Sequence, residues 1–309
     1  MADTLRSADY VSYRDAAAAI LSRHAGVEAI DTFGLSDVFE GGDCSPAYAF
    51  LEAQGYAGAV TPALSFLALA DPASSQQLMA LPFGSGSHVA VAGLPESAAV
   101  VLDLPDVGLV ALGDAKPVQR GGSDADEYLT LFEAAAGELL MPDAEMQTLR
   151  PQILARARLG AAAELLGVCE RLVEDAITHV KARRQFGQAL AEFQAVQHLL
   201  AWAATELHQL RCMVDIAVAS SAQAALEPAM AEMVKALAGR TLHAIAQTAI
   251  QVTGAISFTW EYSLNQLHHR GLLLDQLAGS SADLITAIGE RTRTAGELDP
   301  LFELSDLQG

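Results

Sequence analysis

Gln251-Val252-Thr253-Gly254-Ala255-Ile256-Ser257-Phe258-Thr259-Trp260-Glu261-Tyr262 is the stretch on which the reading turns. A helical pattern opened by Pro228 runs into it, Gly254 stops that pattern, and a lone acid follows among aromatics. Phe258, Trp260 and Tyr262 stand beside Glu261, and no Lys or Arg is near it in sequence. The acid is therefore expected to be desolvated, its pKa raised toward the range of a general base. The structural alternative is a carboxylate at a helix start, favoured by the helix dipole.

Earlier in the chain, Lys181-Ala182-Arg183-Arg184-Gln185-Phe186-Gly187 ends another long helical pattern. Basic residues favour a helix C-terminus and Gly stops one, which explains the segment structurally. An anion site explains it as well: a guanidinium grips a phosphate bidentately while Phe186 covers an aromatic ring.

Outward from these two stretches, apolar residues recur at helical spacing over 153–184, 193–226 and 228–253. A shorter pair, 264–277 and 282–294, is separated by Gly279-Ser280-Ser281. Residues 149–296 thus read as a helical bundle. Residues 1–80 read as short helices: 9–24, one opened by Ser45-Pro46 and ending near Gly55, and further turns over 61–70 and 72–80. Between them, 81–148 carries short β-prone runs at 88–92, 98–104 and 107–112, a small antiparallel region. Gly84-Ser85-Gly86-Ser87 lacks the Lys-Ser/Thr of a phosphate cradle and reads as a loop. Residues 297–309 form an acidic tail. The fold class is mostly α with a small β region.

A formal net charge of −20 excludes nucleic acid as a partner and makes the basic cluster at 183–184 informative. No apolar run reaches the length of a bilayer span, and the amino terminus lacks the pattern of an export signal. Cys44, Cys169 and Cys212 form no CxxC pair, which suits a reducing, cytoplasmic location. No metal is expected, because the adjacent His268 and His269 point to different helix faces.

Taken together, the two stretches resemble the C-terminal domain of the acyl-CoA dehydrogenase family. Arg183-Arg184-Gln185-Phe186-Gly187 looks like its Arg-x-x-Phe-Gly segment, and Ala191-Glu192-Phe193-Gln194-Ala195 matches the family's next few positions. Gln251-Val252-Thr253-Gly254 is similar to its Gln-x-x-Gly-Gly turn, with Ala255 at the second Gly. Glu261 falls where the family keeps its catalytic glutamate, and Gly279-Ser280-Ser281 matches a Gly-Thr-Ser turn. The resemblance implies N-terminal helices, a reduced β-barrel or sheet, and a C-terminal four-helix bundle.

It also implies FAD-dependent α,β-dehydrogenation of an acyl-CoA thioester. Glu261 would remove the α proton, and its backbone N–H would hold the thioester oxygen. Arg158 matches an arginine that faces the catalytic acid in some relatives. Arg183 would grip the FAD diphosphate of a neighbouring subunit, with Gln185, Phe186, Gln251 and Gly254 nearby, and Ser280 belongs to the same cofactor set. The first half departs from the family: the Thr-Glu-Pro segment and its Trp-x-Ser/Thr partner are missing, and His269 replaces a frequent arginine. Those departures, with the Trp260-Glu261 context, are similar to shortened actinobacterial chains that act on steroid side-chain CoA thioesters in unequal α2β2 pairs. The expectation is a glutamate-bearing chain of such a hetero-oligomer, passing electrons to an electron-transfer flavoprotein or a similar acceptor. The alternatives are a non-catalytic companion bracing a partner's FAD, a flavin monooxygenase on the same fold, and a flavin-free binding module.

Overall fold

A computed structural model describes residues 6–295 except 41, 71–76, 85–87, 96–97, 113–127, 134–136 and 224–225. The expected acidic tail and part of the Gly84–Ser87 loop lie outside the described residues. Five helices come first: α1 (Ala8–Leu21), α2 (Gly26–Phe33), α3 (Leu35–Glu40), α4 (Ser45–Ala57) and α5 (Ala63–Leu69). The Ser7 side chain caps α1 by accepting from the Tyr10 N–H. Pro46 sits in the first turn of α4, as the sequence suggests, but Gly55 does not end that helix. Gly58 does, at φ 68°.

Gly55 has a different job, at the crossing of α4 with α6 (Asp143–Ala182). A Cβ on Gly55 would lie 2.0 Å from the Glu164 carbonyl oxygen, and one on Gly167 would lie 2.0 Å from the Glu52 carbonyl oxygen. Reciprocal glycines let the two helix backbones touch. Arg6 and Arg14 fasten the N-terminal helices to this crossing, pairing with Glu52, Asp215 and Glu170.

The β region holds β1 (Gln77–Met79), β2 (Leu81–Phe83), β3 (His88–Ala92), β4 (Ala99–Leu104), β5 (Gly108–Ala111), β6 (Leu129–Glu133) and β7 (Glu138–Pro142). They form a four-stranded sheet in the order β1-β4-β5-β7 and a three-stranded sheet in the order β2-β3-β6. Two expectations are corrected here. Residues 77–79 are a strand rather than helical turns, and β1 pairs with β4 in parallel, so the region is not purely antiparallel. Short apolar runs do not declare their period. Here Leu78 and Ala80 join Val89, Val91, Leu102, Val110 and Phe132 in a second small core, and that core selects the extended form.

The bundle consists of α6, α7 (Gln194–Gln223), α8 (Pro228–Thr253), α9 (Ser263–Gln276) and α10 (Ser281–Ala295). It begins at Asp143 rather than near 149, because α6 runs for 40 residues and keeps Pro151 in its interior. Extended Pro142 precedes it, and Asp143 and Glu145 meet the positive end of the helix dipole. The face expected to be apolar is buried throughout, from Leu159 through Leu166 and Cys169 to Val180. Alanine-rich α6 and α8 pack against each other, with α4, α5, α7 and α9 around α6. No described helix is long and apolar enough to cross a membrane.

Candidate functional site

The residues singled out in sequence fall into two groups at opposite ends of α9. One group surrounds the C-terminus of α6. There the Arg183 N–H donates to the His179 carbonyl (2.8 Å), and the chain turns into a two-residue hairpin, β8 (Arg184–Gln185) and β9 (Gln188–Ala189). Phe186 (φ 54°) and Gly187 (φ 86°) form its tip, a left-handed pair that Gly tolerates and Phe does not favour. The Leu190 N–H donates to the Arg183 carbonyl (2.9 Å) and closes the hairpin. Phe186 is 91% exposed, with its ring edge-on to Phe193. Arg183 and Arg184 are exposed too, and neither forms an ion pair among the described residues. Gln185, on the hairpin, and Gln251, in the last turn of α8, are exposed as well.

Gly254 (φ 72°) ends α8 and opens a 3-10 turn over Gly254–Phe258. Ile256, Phe258 and Trp260 are exposed beyond it, and Trp260 stacks on His269 at 5.5 Å. This stretch is tied to α6: the Ser263 hydroxyl donates to Asp175 (2.7 Å), and the Tyr262 ring meets the edge of His179. The hairpin and the turn therefore share one end of the bundle.

Glu261 is exposed there, so the expectation of a dry acid is not met in the single chain. The physical reason is direct. Phe258 and Trp260 face outward themselves and offer the carboxylate no cover. Sequence adjacency to aromatics is not burial among them.

The second group follows α9, whose 14 residues span about 21 Å. The Arg158 Nε–H donates to the Ala278 carbonyl (3.1 Å). In the single chain Arg158 thus faces the Ala278 carbonyl, while Glu261 lies at the other end of α9. The cause is the location of residue 158, far up α6 from the helix end that meets the Glu261 turn. Burial lowers the Arg158 pKa, and Glu232, whose charge opposes that shift, is bound by Arg291.

Lys235, on α8, underpins the same turn. Its fully buried amine donates to the carbonyls of Asp275 (2.9 Å) and Gly279 (3.3 Å). Burial pushes that amine down to about 8, with Asp275 opposing the shift. The Asp275 carboxylate accepts from the Ser281 N–H (3.2 Å) and hydroxyl (3.0 Å). Gly239 leaves the room: a Cβ there would lie 1.9 Å from Asp275 Oδ1. Strand β2 stitches the turn from the other side, the Ala278 N–H donating to the Pro82 carbonyl (2.9 Å). Ala278 sits at φ 57° within this clamp. The Ser280 hydroxyl donates to Asp283 (2.7 Å) and accepts from its N–H, capping α10.

Sequence reading missed Lys235, Asp275 and Gly239. A signal existed, a lone Lys and a lone Asp in apolar helical runs, but charge in such a run does not name its partner.

The donor set at the hairpin end fits an anionic dinucleotide. Among the described residues Arg183 has no carboxylate partner, Phe186 is bare, and Gln185, Gln251 and Gly254 are exposed at the same end of the bundle. Ser280 is not part of that group. It belongs to the far turn, beside Arg158.

Residues 149–292 match the family model described as "Acyl-CoA dehydrogenase, C-terminal domain". Among curated proteins, the chain is 28% identical over 141 residues to 3-sulfinopropanoyl-CoA desulfinase of Cupriavidus necator, covering 46% of this chain and 34% of that protein. It is 27% identical over 237 residues to acyl-CoA dehydrogenase IpdE2 of Mycobacterium tuberculosis, covering 74% of this chain and 69% of that protein. The chain thus spans only about a third of the first relative's length. Among solved structures, the Tcur3481-Tcur3483 steroid ACAD aligns at TM-score 0.72 and 18% identity, covering 93% of this chain and 98% of that one. The ChsE4-ChsE5 complex from Mycobacterium tuberculosis aligns at 0.70 and 17%, with coverage of 93% and 98%. At these identities the likeness is one of fold.

Proposed function

We propose that this chain, whose residues 149–292 match the C-terminal domain of the acyl-CoA dehydrogenase family, is a flavin-bracing subunit of an FAD-dependent acyl-CoA dehydrogenase and works with an unlike partner chain. The family and the fold support acyl-CoA dehydrogenation in general. FAD, when bound, supplies the acceptor for the hydride that leaves Cβ of the thioester. This chain's own part is to hold that cofactor. The Arg183 guanidinium grips the diphosphate of a neighbour's FAD, Phe186 covers the adenine, and Gln185, Gln251 and Gly254 line the approach. The acyl group we assign is a bulky one such as a steroid side chain, and an electron-transfer flavoprotein receives the electrons. The likeness to a steroid ACAD and to a two-chain complex supports both the substrate class and the unlike partner.

One observation carries the bracing role. Arg158, the arginine that in some relatives faces the catalytic acid, here faces Ala278, while Glu261 lies exposed at the other end of α9. Proton removal from carbon needs an acid held in dry surroundings against the substrate. Among the described residues the buried carboxylates at the 278 turn are already engaged, Asp275 by Lys235 and Ser281 and Glu232 by Arg291, which supports a base supplied by the partner.

A second reading keeps Glu261 as the base. Its place beside Trp260, at the end that bears the arginine hairpin, favours that reading, because a partner seated there would cover both.

Glu261→Gln in the co-purified assembly decides between them. The bracing role expects turnover and visible flavin both retained. Loss of turnover with the yellow colour kept transfers the proton step to Glu261. Arg183→Gln lowers the flavin-to-protein ratio under either reading. A wild-type assembly without a flavin band, or flavin that an acyl-CoA cannot reduce without air, refutes both.

A further inference from the structure

Between the C-terminus of α4, α6 and the first half of α9 lies a cleft of about 190 Å³ that the flavin-bracing role does not use. Its walls bring together Tyr56, Tyr128, Arg171, Arg270, Val60 and Leu267. The chain carries 38 acidic residues against 18 Lys and Arg, yet two arginines and no carboxylate line this cleft among the described residues. Both arginines are ion-paired from outside the cleft, Arg270 to Glu164 and Arg171 to Asp175, and Glu174 accepts from the Tyr56 hydroxyl, so the cleft offers positioned N–H donors rather than surplus positive charge.

The side chains are prepared from behind. Arg270 is 6% exposed, and one of its terminal nitrogens donates to the fully buried Glu164, which also accepts from Gln54 (3.0 Å) and Tyr128 (3.1 Å). Its guanidinium stacks on the Tyr128 ring at 4.4 Å. Among the described residues, the enclosed Arg270 Nε–H and the second carboxylate oxygen of Glu164 both lack a partner, although buried polar groups are ordinarily satisfied. At the rim, Arg171 stacks over Tyr56 and gives its Nε–H to Asp175 (2.8 Å), leaving terminal N–H groups directed elsewhere. Val60 and Leu267 supply apolar walls.

We propose that this cleft binds a small planar carboxylate, an aromatic or conjugated short-chain acid. The carboxylate oxygens take terminal N–H groups of Arg171 at the rim, with the Arg270 guanidinium behind them, and the flat carbon skeleton lies against Leu267 and Val60. The volume suits one ring or a short unsaturated chain and excludes a nucleotide. The guanidiniums are held by their tyrosine stacks and ion pairs before the ligand arrives, so little ordering accompanies binding.

Benzoate titrated into the full-length chain, by calorimetry or ligand-observed NMR, tests the assignment without flavin or partner. Saturable binding at one site is expected. Arg171→Gln at the rim weakens it at least tenfold, and Leu267→Trp, which fills the cleft, abolishes it, with circular dichroism reporting that each variant is folded. Benzamide, flat but uncharged, binds at least tenfold more weakly. Inorganic phosphate does not displace benzoate, because it lacks the planar skeleton. The proposal is overturned by absence of saturable binding, by unchanged affinity in the folded Arg171→Gln variant, or by benzamide or phosphate matching benzoate. None of these outcomes bears on the flavin role, whose test reads the assembly's colour and turnover.

Discussion

Gly167→Ala probes the contact on which the helical half is built, the backbone crossing of α4 and α6. The new Cβ would lie 2.0 Å from the Glu52 carbonyl oxygen and 2.7 Å from the Tyr56 nitrogen, where ordinary contact begins at 3.4 Å. The helices must therefore part by 3.4 − 2.0 = 1.4 Å at that point. Both obstructing atoms are backbone, so no rotamer change relieves the clash. Overpacking of this kind costs about 1–3 kcal/mol, and occasionally more. Alanine returns about 1 kcal/mol of helix propensity over glycine. Separation also stretches the Arg14 bridge between Glu52 on α4 and Glu170 on α6 and the Gln54–Glu164 hydrogen bond, which straddle the crossing. That places the variant at the upper end, a net loss of about 2 kcal/mol. Urea unfolding followed by circular dichroism reads this as a lower midpoint with an unchanged slope. Gly55→Ala meets the Glu164 carbonyl at the same 2.0 Å, so the double variant should cost less than the sum of the singles, the helices having already parted. A Gly167→Ala protein as stable as the wild type, or strict additivity with Gly55→Ala, would refute the backbone-contact argument.

Two other perturbations test the buried charges. Glu164→Gln leaves the Arg270 guanidinium without its counter-charge in the interior and should lower stability by about 3–5 kcal/mol, read as a large drop in the thermal midpoint. Lys235 titrates at about 8 in the folded chain and near its ordinary, higher value when unfolded, so the unfolded state holds the extra proton between those limits. Stability should consequently rise as pH climbs from about 8 toward about 10, and Lys235→Met should flatten that rise in urea midpoints taken across the range.

The bundle was largely legible because long helices repeat their apolar spacing many times. The buried face of α6 and the Pro228–Thr253 limits of α8 emerged from periodicity and capping residues alone. The 77–79 strand did not, since three residues are too few to establish a period and the selecting partners, Val89 and Val101 among them, are distant in sequence. At the site, the hairpin was legible from local chemistry: basic residues, then Phe and Gly at a helix end. The surroundings of Glu261 and Arg158 were not, because whether an aromatic faces in or out, and which end of a helix an arginine reaches, are settled by tertiary packing. Lys235 stayed hidden for the same reason. Its partners come from residues 275 and 279, on the far side of a helix hairpin.

The length of α9 has an evolutionary corollary. Groups separated by about 21 Å are energetically independent, so substitutions at the Arg183 hairpin and at the Lys235-braced turn are expected to add without interference. After a gene duplication, each daughter can therefore let one terminus drift while selection preserves the other. Two specialised descendants, each intact at the opposite pole, would then depend on each other, and neither loss could be reversed by a single mutation.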